Sequence, residues 1–205
     1  MEKELLQKLY SMEEYYWGKE PNALAHKVSE HLSPIQCADM RLLELGCGEG
    51  RDSVFLAQYG FDVLAVDFAP AGLAKAQKLA KEMNVMVRTL EGNLNDLLLS
   101  GEFDVVYSCG ALEYIEPQNR ARQFTHFQEH TVPGGIHFLF VFIEHPEIEL
   151  APDWGSNEYL YGREELPSYY AEWTTLESYE YIFPCNSSGV PHQHAARVLI
   201  AKKPA

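Results

Sequence analysis

The fold of this chain is decided by residues 42–51, which read LLELGCGEGR. A short apolar run, typical of a buried strand, stops at three glycines set two positions apart: Gly46, Gly48 and Gly50. Glycine adopts positive φ angles without a steric penalty and lets a ligand approach the backbone. The helical pattern that follows presents free N–H groups and a partial positive charge at its first turn. We therefore expect a strand, a tight turn and a helix that together bind a negative or polar ligand.

Apolar segments and helical patterns alternate along most of the chain. Strands are predicted at 41–45, 62–67, 85–90, 103–108 and 136–143. Helices are predicted at 51–59, from Pro70 and at 117–131, with a short helical turn at 94–99. Mostly apolar strands of the buried type, joined by helices, predict a parallel sheet that is covered on both faces. Two further β-type runs, 174–183 and 195–202, predict an antiparallel hairpin that closes the sheet edge.

The composition limits the class of protein. The chain has 205 residues, which suits one domain, and a formal net charge of −14, which repels nucleic-acid phosphates. No apolar stretch approaches the roughly 20 residues that span a bilayer, and the charged first residues do not resemble a signal peptide. Four scattered cysteines lack metal-type pairing and suit a reducing compartment. We expect a cytoplasmic monomer or homodimer without nucleic-acid or membrane partners.

Residues 1–36 precede the first strand and are predicted to form an N-terminal helical lid. Apolar residues at helical spacing predict helices at 3–17 and 22–32. Aromatic residues gather at the end of the first helix, where they pack onto the core or cover a ligand. Tyr16 and Trp17 are therefore candidates for substrate contact.

Residues 144–173 differ in composition from the rest of the chain, being rich in acidic and aromatic residues. We interpret them as an acidic, aromatic cap inserted within a single domain that spans 1–205, with a short helix near 163–171. Over a ligand site, such a cap favours a cationic or neutral flat molecule, and Trp154 is a candidate for substrate contact. Alternatively, its acids form a solvated face and its aromatic residues form a small core.

The glycine turn alone does not identify its ligand, because nicotinamide, flavin and adenosyl binders share it. The third glycine follows Gly48 by two positions, whereas in the dinucleotide fingerprint it follows by three. Glu44 stands inside the strand end, where a carboxylate can anchor a cationic ammonium group but disfavours a pyrophosphate. Asp67 ends the second strand about 20 residues further on, where an acid can accept from both ribose hydroxyls. These details favour an adenosyl ligand with a cationic group.

The motifs together resemble class I S-adenosylmethionine-dependent methyltransferases. Residues 44–50 are similar to the first motif of that family, and Asp67, residues 92–93, residues 103–106 and residues 133–135 fall where the family has its further motifs. The resemblance implies an α/β fold with a Rossmann-like, doubly wound, seven-stranded sheet. The implied order is 3-2-1-4-5-7-6 with strand 7 antiparallel. Within the superfamily, the chain is most similar to the tellurite-resistance (TehB-like) and thiopurine methyltransferase-like group.

The resemblance also assigns roles to residues. Asp67 would hold the ribose of S-adenosylmethionine, and Asn93, where the family often has Asp, would accept from the adenine amino group. Cys47 and Cys109 are expected to be small apolar fillers, and Arg51 is expected to face solvent. The cofactor-binding residues implied in this way are Glu44, Gly46, Cys47, Gly48, Asp67, Phe68, Asn93, Leu94, Ser108 and Cys109.

The implied reaction is methyl transfer to a small molecule by in-line displacement, leaving S-adenosylhomocysteine. The protein then mainly aligns the acceptor and excludes water. An acceptor with a weakly acidic proton also needs a general base. Glu113, Tyr114 and His145 follow strand ends that face the cofactor and are the catalytic candidates. The segment after strand 4 lacks the Asn/Asp-Pro-Pro-aromatic tetrad of nucleic-acid amino methyltransferases.

Two other functions are compatible with parts of the pattern. A protein that binds S-adenosylmethionine or S-adenosylhomocysteine without transferring a methyl group would share residues 44–93. A nicotinamide oxidoreductase is disfavoured by the position of the third glycine. Basic residues near the closing hairpin are few, which favours a neutral or cationic acceptor over the tellurite oxyanion. His192 and His194 share one face of the last strand, but two histidines alone predict no metal site.

Overall fold

Seven strands form one sheet within residues 3–152, 154–186 and 189–205, the part of the chain that the computed structural model describes. The strands are β1 Arg41–Leu45, β2 Asp62–Asp67, β3 Val87–Glu91, β4 Phe103–Cys109, β5 Thr131–Phe142, β6 Thr174–Cys185 and β7 His192–Lys202. Their order is β3-β2-β1-β4-β5-β7-β6, and β7 is antiparallel to both of its neighbours. The predicted Rossmann-like fold and strand order are confirmed.

Helices cover both faces of this sheet. They are α1 Lys3–Tyr10, α2 Ala23–His31, α3 Pro34–Cys37, α4 Arg51–Tyr59, α5 Pro70–Glu82, α6 Pro117–Glu129 and α7 Glu165–Ser168, with a 3₁₀ turn at Leu112–Tyr114. Leu42 packs with α2, α4 and α5, whereas its neighbour Leu43 packs with α6 on the opposite face. Both side chains are fully buried, as expected for a central parallel strand that is covered on both faces. Among the described residues, no helix combines the length and apolar character needed to cross a bilayer.

The first helix is shorter than predicted, because it ends at Tyr10 rather than at residue 17. The Ser11 hydroxyl donates to the carbonyl of Gln7 at 2.7 Å, a bond that competes with the helical pattern. Beyond it, the backbone of Trp17 bonds to side chains of the glycine turn instead of to its own helix. Tertiary hydrogen bonds therefore override helical spacing in this segment.

Two other local predictions are corrected by the structure. The short helical turn predicted at 94–99 is confined to a turn at 94–96, where the Asn93 side chain accepts from the backbone N–H of Asn95 at 3.1 Å. Residues 133–135 do not precede the fifth strand but lie inside it, and Gly134 has a φ of +78°. The β4–β5 register shifts at this point, between Phe103 and Val105. Such an irregularity accommodates a proline that has no N–H to donate.

Residues 159–165, part of the segment interpreted above as a cap, are held against the sheet by Arg120 of α6. The Arg120 guanidinium donates to the carbonyl of Tyr159 at 2.6 Å and to the Glu165 carboxylate at 2.8 Å. It also stacks 3.6 Å from the ring centre of Tyr161, which is fully buried. Tyr161 thus belongs to the core, as does Tyr170, which is 2% exposed.

Candidate functional site

The glycine turn after β1 is fixed by backbone hydrogen bonds. The N–H groups of Gly46 and Cys47 donate to the carbonyl of Val66 at 2.8 and 2.9 Å. Gly46 has a φ of +77°, and a Cβ placed on it would lie 2.1 Å from the Cβ of Ala111. Only glycine therefore fits this position, which lets the β4 end approach the turn.

Asp67 ties the end of β2 to this turn. Its carboxylate accepts from the backbone N–H groups of Gly48 and Ala69, both at 2.8 Å. A carboxylate offers about four acceptor positions, and Asp67 also lines the cavity described below. The arrangement gives Asp67 a fixed orientation before any ligand binds.

Glu44 is a buried carboxyl group near the end of β1. It is 3% exposed and accepts a hydrogen bond from the hydroxyl of Ser53. Burial, helped by the nearby Asp52 carboxylate, raises the pKa of Glu44 to about 8. An opposite charge within a few ångströms favours the ionised carboxylate, so this position suits a cationic group of a ligand.

One cavity of about 410 Å³ brings most of the predicted residues together. Its glycine end is formed by Glu44, Gly46, Gly48, Asp67 and Asn93. Its hairpin end is formed by Phe142, Tyr179, Tyr181, Phe183 and His194. The predicted site residues that line the cavity are Trp17, Glu44, Gly46, Cys47, Gly48, Asp67, Phe68, Asn93, Leu94, Cys109, Glu113, Tyr114 and Trp154.

Three predicted residues lie outside this lining. The Ser108 hydroxyl is fully buried and donates to the carbonyl of Leu45 at 2.8 Å, so it links β4 to β1 within the sheet. Tyr16 packs edge-on against Trp17, with ring centres 4.7 Å apart. His145 lines a second, smaller cavity of about 120 Å³ beside the cap. These positions do not support direct ligand contact by Ser108 or Tyr16, or a direct role for His145 as the base.

Glu113 has the properties of a proton acceptor inside the cavity. It is 2% exposed, and burial raises its pKa to about 7. Its Oε2 atom is buried and has no hydrogen-bond partner among the described residues. Next to it, the hydroxyl of Tyr114 donates to the Glu158 carboxylate at 2.9 Å. Since a group with a pKa near the working pH transfers protons most effectively, Glu113 is the better placed candidate.

The N-terminal segment closes one wall of the cavity through Trp17. The Trp17 N–H donates to Glu49 at 3.1 Å, and its carbonyl accepts from Arg51 at 2.7 Å. The indole N–H donates to the hydroxyl of Tyr10 at 3.0 Å. Arg51, expected to face only solvent, therefore fastens the lid to the glycine turn.

Asn22 provides a second attachment of the same segment. Its backbone and side-chain N–H groups donate to the Asp52 carboxylate at 2.7 and 2.9 Å. The hydroxyl of Tyr107 on β4 donates to the same carboxylate at 2.8 Å. Asp52 thus joins the lid, α4 and the sheet beside the cavity.

Sequence reasoning missed the hairpin end of the cavity. Tyr179, Tyr181 and Phe183 alternate along β6 and line the cavity together with His194 of β7. Residues two apart on a strand share a face, so this aromatic alternation was a usable signal. It was overlooked because the ligand was expected to meet the cap rather than the hairpin.

Comparison with known families decides between the possible ligands of such a cavity. The sequence profile described as "Tellurite resistance protein TehB" matches residues 9–185. The chain belongs to the TehB family. The match confirms the resemblance to class I S-adenosylmethionine-dependent methyltransferases of the tellurite-resistance type. It includes the glycine turn, the cap and β6.

Relatives of this TehB family member are distant and longer. The chain is 26% identical over 170 residues to Hemagglutinin 1 of Eikenella corrodens, covering 82% of this chain and 56% of that protein. It is 23% identical over 172 residues to the probable S-adenosyl-L-methionine-dependent methyltransferase TehB of Haemophilus influenzae (strain 10810), covering 82% and 58%. The chain therefore spans a little over half the length of these relatives.

Solved structures agree on the fold. The crystal structure of TehB from Haemophilus influenzae matches with a TM-score of 0.77 at 21% identity, over 89% of this chain and 62% of that chain. The N-methyltransferase NodS from Bradyrhizobium japonicum WM9, in complex with S-adenosyl-L-homocysteine, matches with a TM-score of 0.74 at 16% identity, over 98% of both chains. At these identities, the similarity establishes the shared architecture.

Proposed function

We propose that this protein transfers the methyl group of S-adenosylmethionine to a small-molecule acceptor. The observation that carries the proposal is the continuity of the cavity, which runs from Asp67 past Glu113 to Phe183. A cofactor at the glycine end therefore leaves the hairpin end for a second molecule. The family and the relatives named as methyltransferases support the same reaction.

The donor set at the glycine end fits this cofactor. Glu44 would face the cationic methionine part, Asp67 would accept from the ribose hydroxyls, and Asn93 would accept from the adenine amino group. Bound S-adenosylmethionine supplies a methyl group that is already activated on a sulfonium. The protein's own contribution is to hold the acceptor in line with that methyl group and to keep water out.

Acidic groups favour a neutral or cationic acceptor. Glu113 and Glu158 line the cavity between its two ends, and Asp67 lines the glycine end. In its ionised form, Glu113 would take the proton that a hydroxyl, amine or thiol acceptor loses on methylation. An oxyanion such as tellurite would meet repulsion here. A cytoplasmic location and action on small molecules belong to the same proposal.

The alternative is a protein that binds the cofactor without transferring its methyl group. This alternative would be favoured if cap side chains filled the hairpin end and left no room for an acceptor. Of the described cap residues, Trp154 and Glu158 line the cavity, and the remainder of this end is lined by strands. The cap therefore leaves the hairpin end open to a second molecule, which favours transfer over binding alone.

Calorimetric titration with S-adenosylmethionine, S-adenosylhomocysteine and NADH tests the cofactor. Micromolar binding of the first two without NADH binding is the expected result, and NADH binding alone contradicts the proposal. Methyl-labelled S-adenosylmethionine with a panel of thiols, amines and phenols then tests transfer. If both adenosyl ligands bind tightly but no acceptor in the panel is labelled, the binding-only alternative replaces transfer.

A further inference from the structure

The closing hairpin brings a cysteine and two histidines together. Cys185 lies directly opposite His192 in the β6–β7 register, and His194 follows two residues later on the same strand. Opposite residues and residues two apart on one strand project from the same face of a sheet. As a result, one potential ligand atom from each of the three side chains lies within 4.8 Å of the other two. The Nε2 atoms of the two histidines are 3.0 Å apart.

The chemistry of this ligand set selects a borderline-soft metal ion. Thiolate and imidazole together suit Zn²⁺ and related transition metals, whereas Mg²⁺ and Ca²⁺ require oxygen ligands. Zinc sites with three protein ligands keep a fourth position for water or a small molecule. With Zn–N bonds of about 2.0–2.1 Å, tetrahedral nitrogen ligands lie roughly 3.3 Å apart, so the histidines need to move little.

A backbone contact orients one of the histidines for metal binding. The Nδ1 atom of His192 lies 2.7 Å from the carbonyl oxygen of Val190, which can only accept a hydrogen bond. The proton of the neutral ring is therefore on Nδ1, and the lone pair is on Nε2, the atom that faces His194. Metal-binding histidines commonly have this second hydrogen bond.

The cluster stands at the hairpin end of the cavity. Cys185 and His194 both line it, and the ring centre of His194 is 4.9 Å from that of Phe142 and 6.2 Å from that of Trp154. Because two of the three side chains line the cavity, a fourth ligand would reach the ion from there.

We propose that Cys185, His192 and His194 bind one Zn²⁺ ion at the hairpin end of the cavity. The ion would replace the contact between the two Nε2 atoms, and the proton that His194 holds there would move to its Nδ1 atom. The ion would also coordinate Cys185, whose thiol would release its proton to solvent. Its fourth position would be filled by water or by a neutral donor atom of a small molecule. Zinc binding at this position goes beyond the proposed methyl transfer and does not depend on it.

Metal titration of the untagged, chelator-treated protein tests this proposal directly. Co²⁺, used as a spectroscopic probe for the zinc site, should bind one ion per chain and show thiolate-to-cobalt charge-transfer absorption in the near ultraviolet. Equimolar Zn²⁺ should abolish this absorption by displacement. C185S should remove the band, and H194A should weaken binding by at least about 100-fold, more than typical losses from altering the groups that support a ligand.

Matched controls separate the site from general metal binding. Cys37 and His26 lie elsewhere in the fold, so C37S and H26A should bind Co²⁺ like the unaltered protein. The proposal is overturned if the unaltered protein binds no stoichiometric Co²⁺ or Zn²⁺, or if either C185S or H194A binds unchanged.

Alkylation of the unaltered protein tests the same zinc site without variants, and it therefore does not depend on whether the variants fold. Zn²⁺ should slow the modification of Cys185 by iodoacetamide, measured by peptide mass spectrometry, and leave the modification rate of Cys109 unchanged. Equal rates for Cys185 with and without Zn²⁺ would overturn the proposal.

Discussion

At the glycine end of the cavity, backbone groups set the geometry, whereas at the hairpin end side chains set it. Gly46, Cys47 and Gly48 are held by hydrogen bonds to the end of β2, and their positions hardly depend on surface side chains. Tyr181 and Phe183 line the other end with exchangeable aromatic rings from an edge strand. Substitutions of surface side chains therefore alter a backbone-built end little, whereas a side-chain-built end can change what it binds by substitution.

The largest expected effect on ligand binding is that of D67A, which separates the two ends. D67A removes the carboxylate proposed to accept two charge-assisted hydrogen bonds from the ribose, each expected to contribute about 1.5–3 kcal/mol, and also the bonds it accepts from the N–H groups of Gly48 and Ala69. We expect the affinity for S-adenosylmethionine, measured by calorimetry, to fall at least about 100-fold. Y181A at the hairpin end is the matched variant and should leave this affinity unchanged. Equal losses in both variants would contradict the division into two ends.

Glu113 tests whether chemistry occurs between the two ends. Replacing it in E113Q should lower turnover of a proton-bearing acceptor by about 10²–10⁴-fold, the usual contribution of a general base. Because burial raises the pKa of Glu113 to about 7, the turnover of the unaltered protein should rise with pH through 7 and then level off. The pH–rate profile of E113Q should lose this rise, while affinity for S-adenosylhomocysteine stays the same. If the turnover of E113Q still rose with pH through 7, a residue other than Glu113 would be the base.

Gly46 tests the rigidity of the glycine end. In G46A, the new Cβ meets that of Ala111 at 2.1 Å and the residue must keep a φ of +77°. Overpacking and left-handed backbone together should lower the free energy of unfolding by about 2–5 kcal/mol, measured in urea. G18A is the control, since its φ is +73° with no atom within 4 Å of the new Cβ. It should lose only about 1–2 kcal/mol, and an equal loss in both would refute the packing argument.

Glu44 predicts a smaller, pH-dependent effect. Because its pKa in the free protein is raised to about 8, binding a cationic ligand at neutral pH should release a proton. As the pH rises towards 8, the affinity for S-adenosylmethionine should therefore increase by up to about tenfold per pH unit. Calorimetry in buffers of different ionisation enthalpy should detect the proton, and E44Q should release none from this position. Affinity independent of pH between 6 and 8 would contradict this interpretation.

The same shift has a consequence for stability. The pKa of Glu44 is raised from 4.5, so its protonated form stabilises the fold fully below about pH 4.5. This contribution is lost as the pH rises through 8. E44Q should be less sensitive to pH over this interval.

The smallest expected effect concerns the lid. R51A removes the hydrogen bond to the Trp17 carbonyl, which is 2.7 Å long and exposed to solvent. A single such bond contributes about 0.5–1.5 kcal/mol, so cofactor affinity should fall roughly two- to tenfold. R88A removes an exposed ion pair with Asp62 on the far side of β2 and serves as the control. A loss no larger than that of R88A would mean that the lid does not act on the cofactor.

Residues 42–51 and Asp67 were predictable because their chemistry is local. A strand end, positive φ angles and a helix start follow from ten consecutive residues, and β2 must lie beside β1 in this fold. The lid was predictable only in part, since helical spacing predicted a helix to residue 17. The backbone of Trp17 instead bonds to Glu49 and Arg51, groups that the spacing of its own segment does not reveal.

The sequence by itself determined the family, the parallel sheet and the glycine end, because those features repeat over short spans and require particular residue types. Only the tertiary structure decided the hairpin end. The β6–β7 register places Cys185 opposite His192 and Phe183 opposite His194, and a shift of one residue would turn these side chains to the other face. Likewise, burial sets the pKa of Glu113, and burial depends on everything packed around it. Contacts between distant segments therefore determine what this cavity accepts.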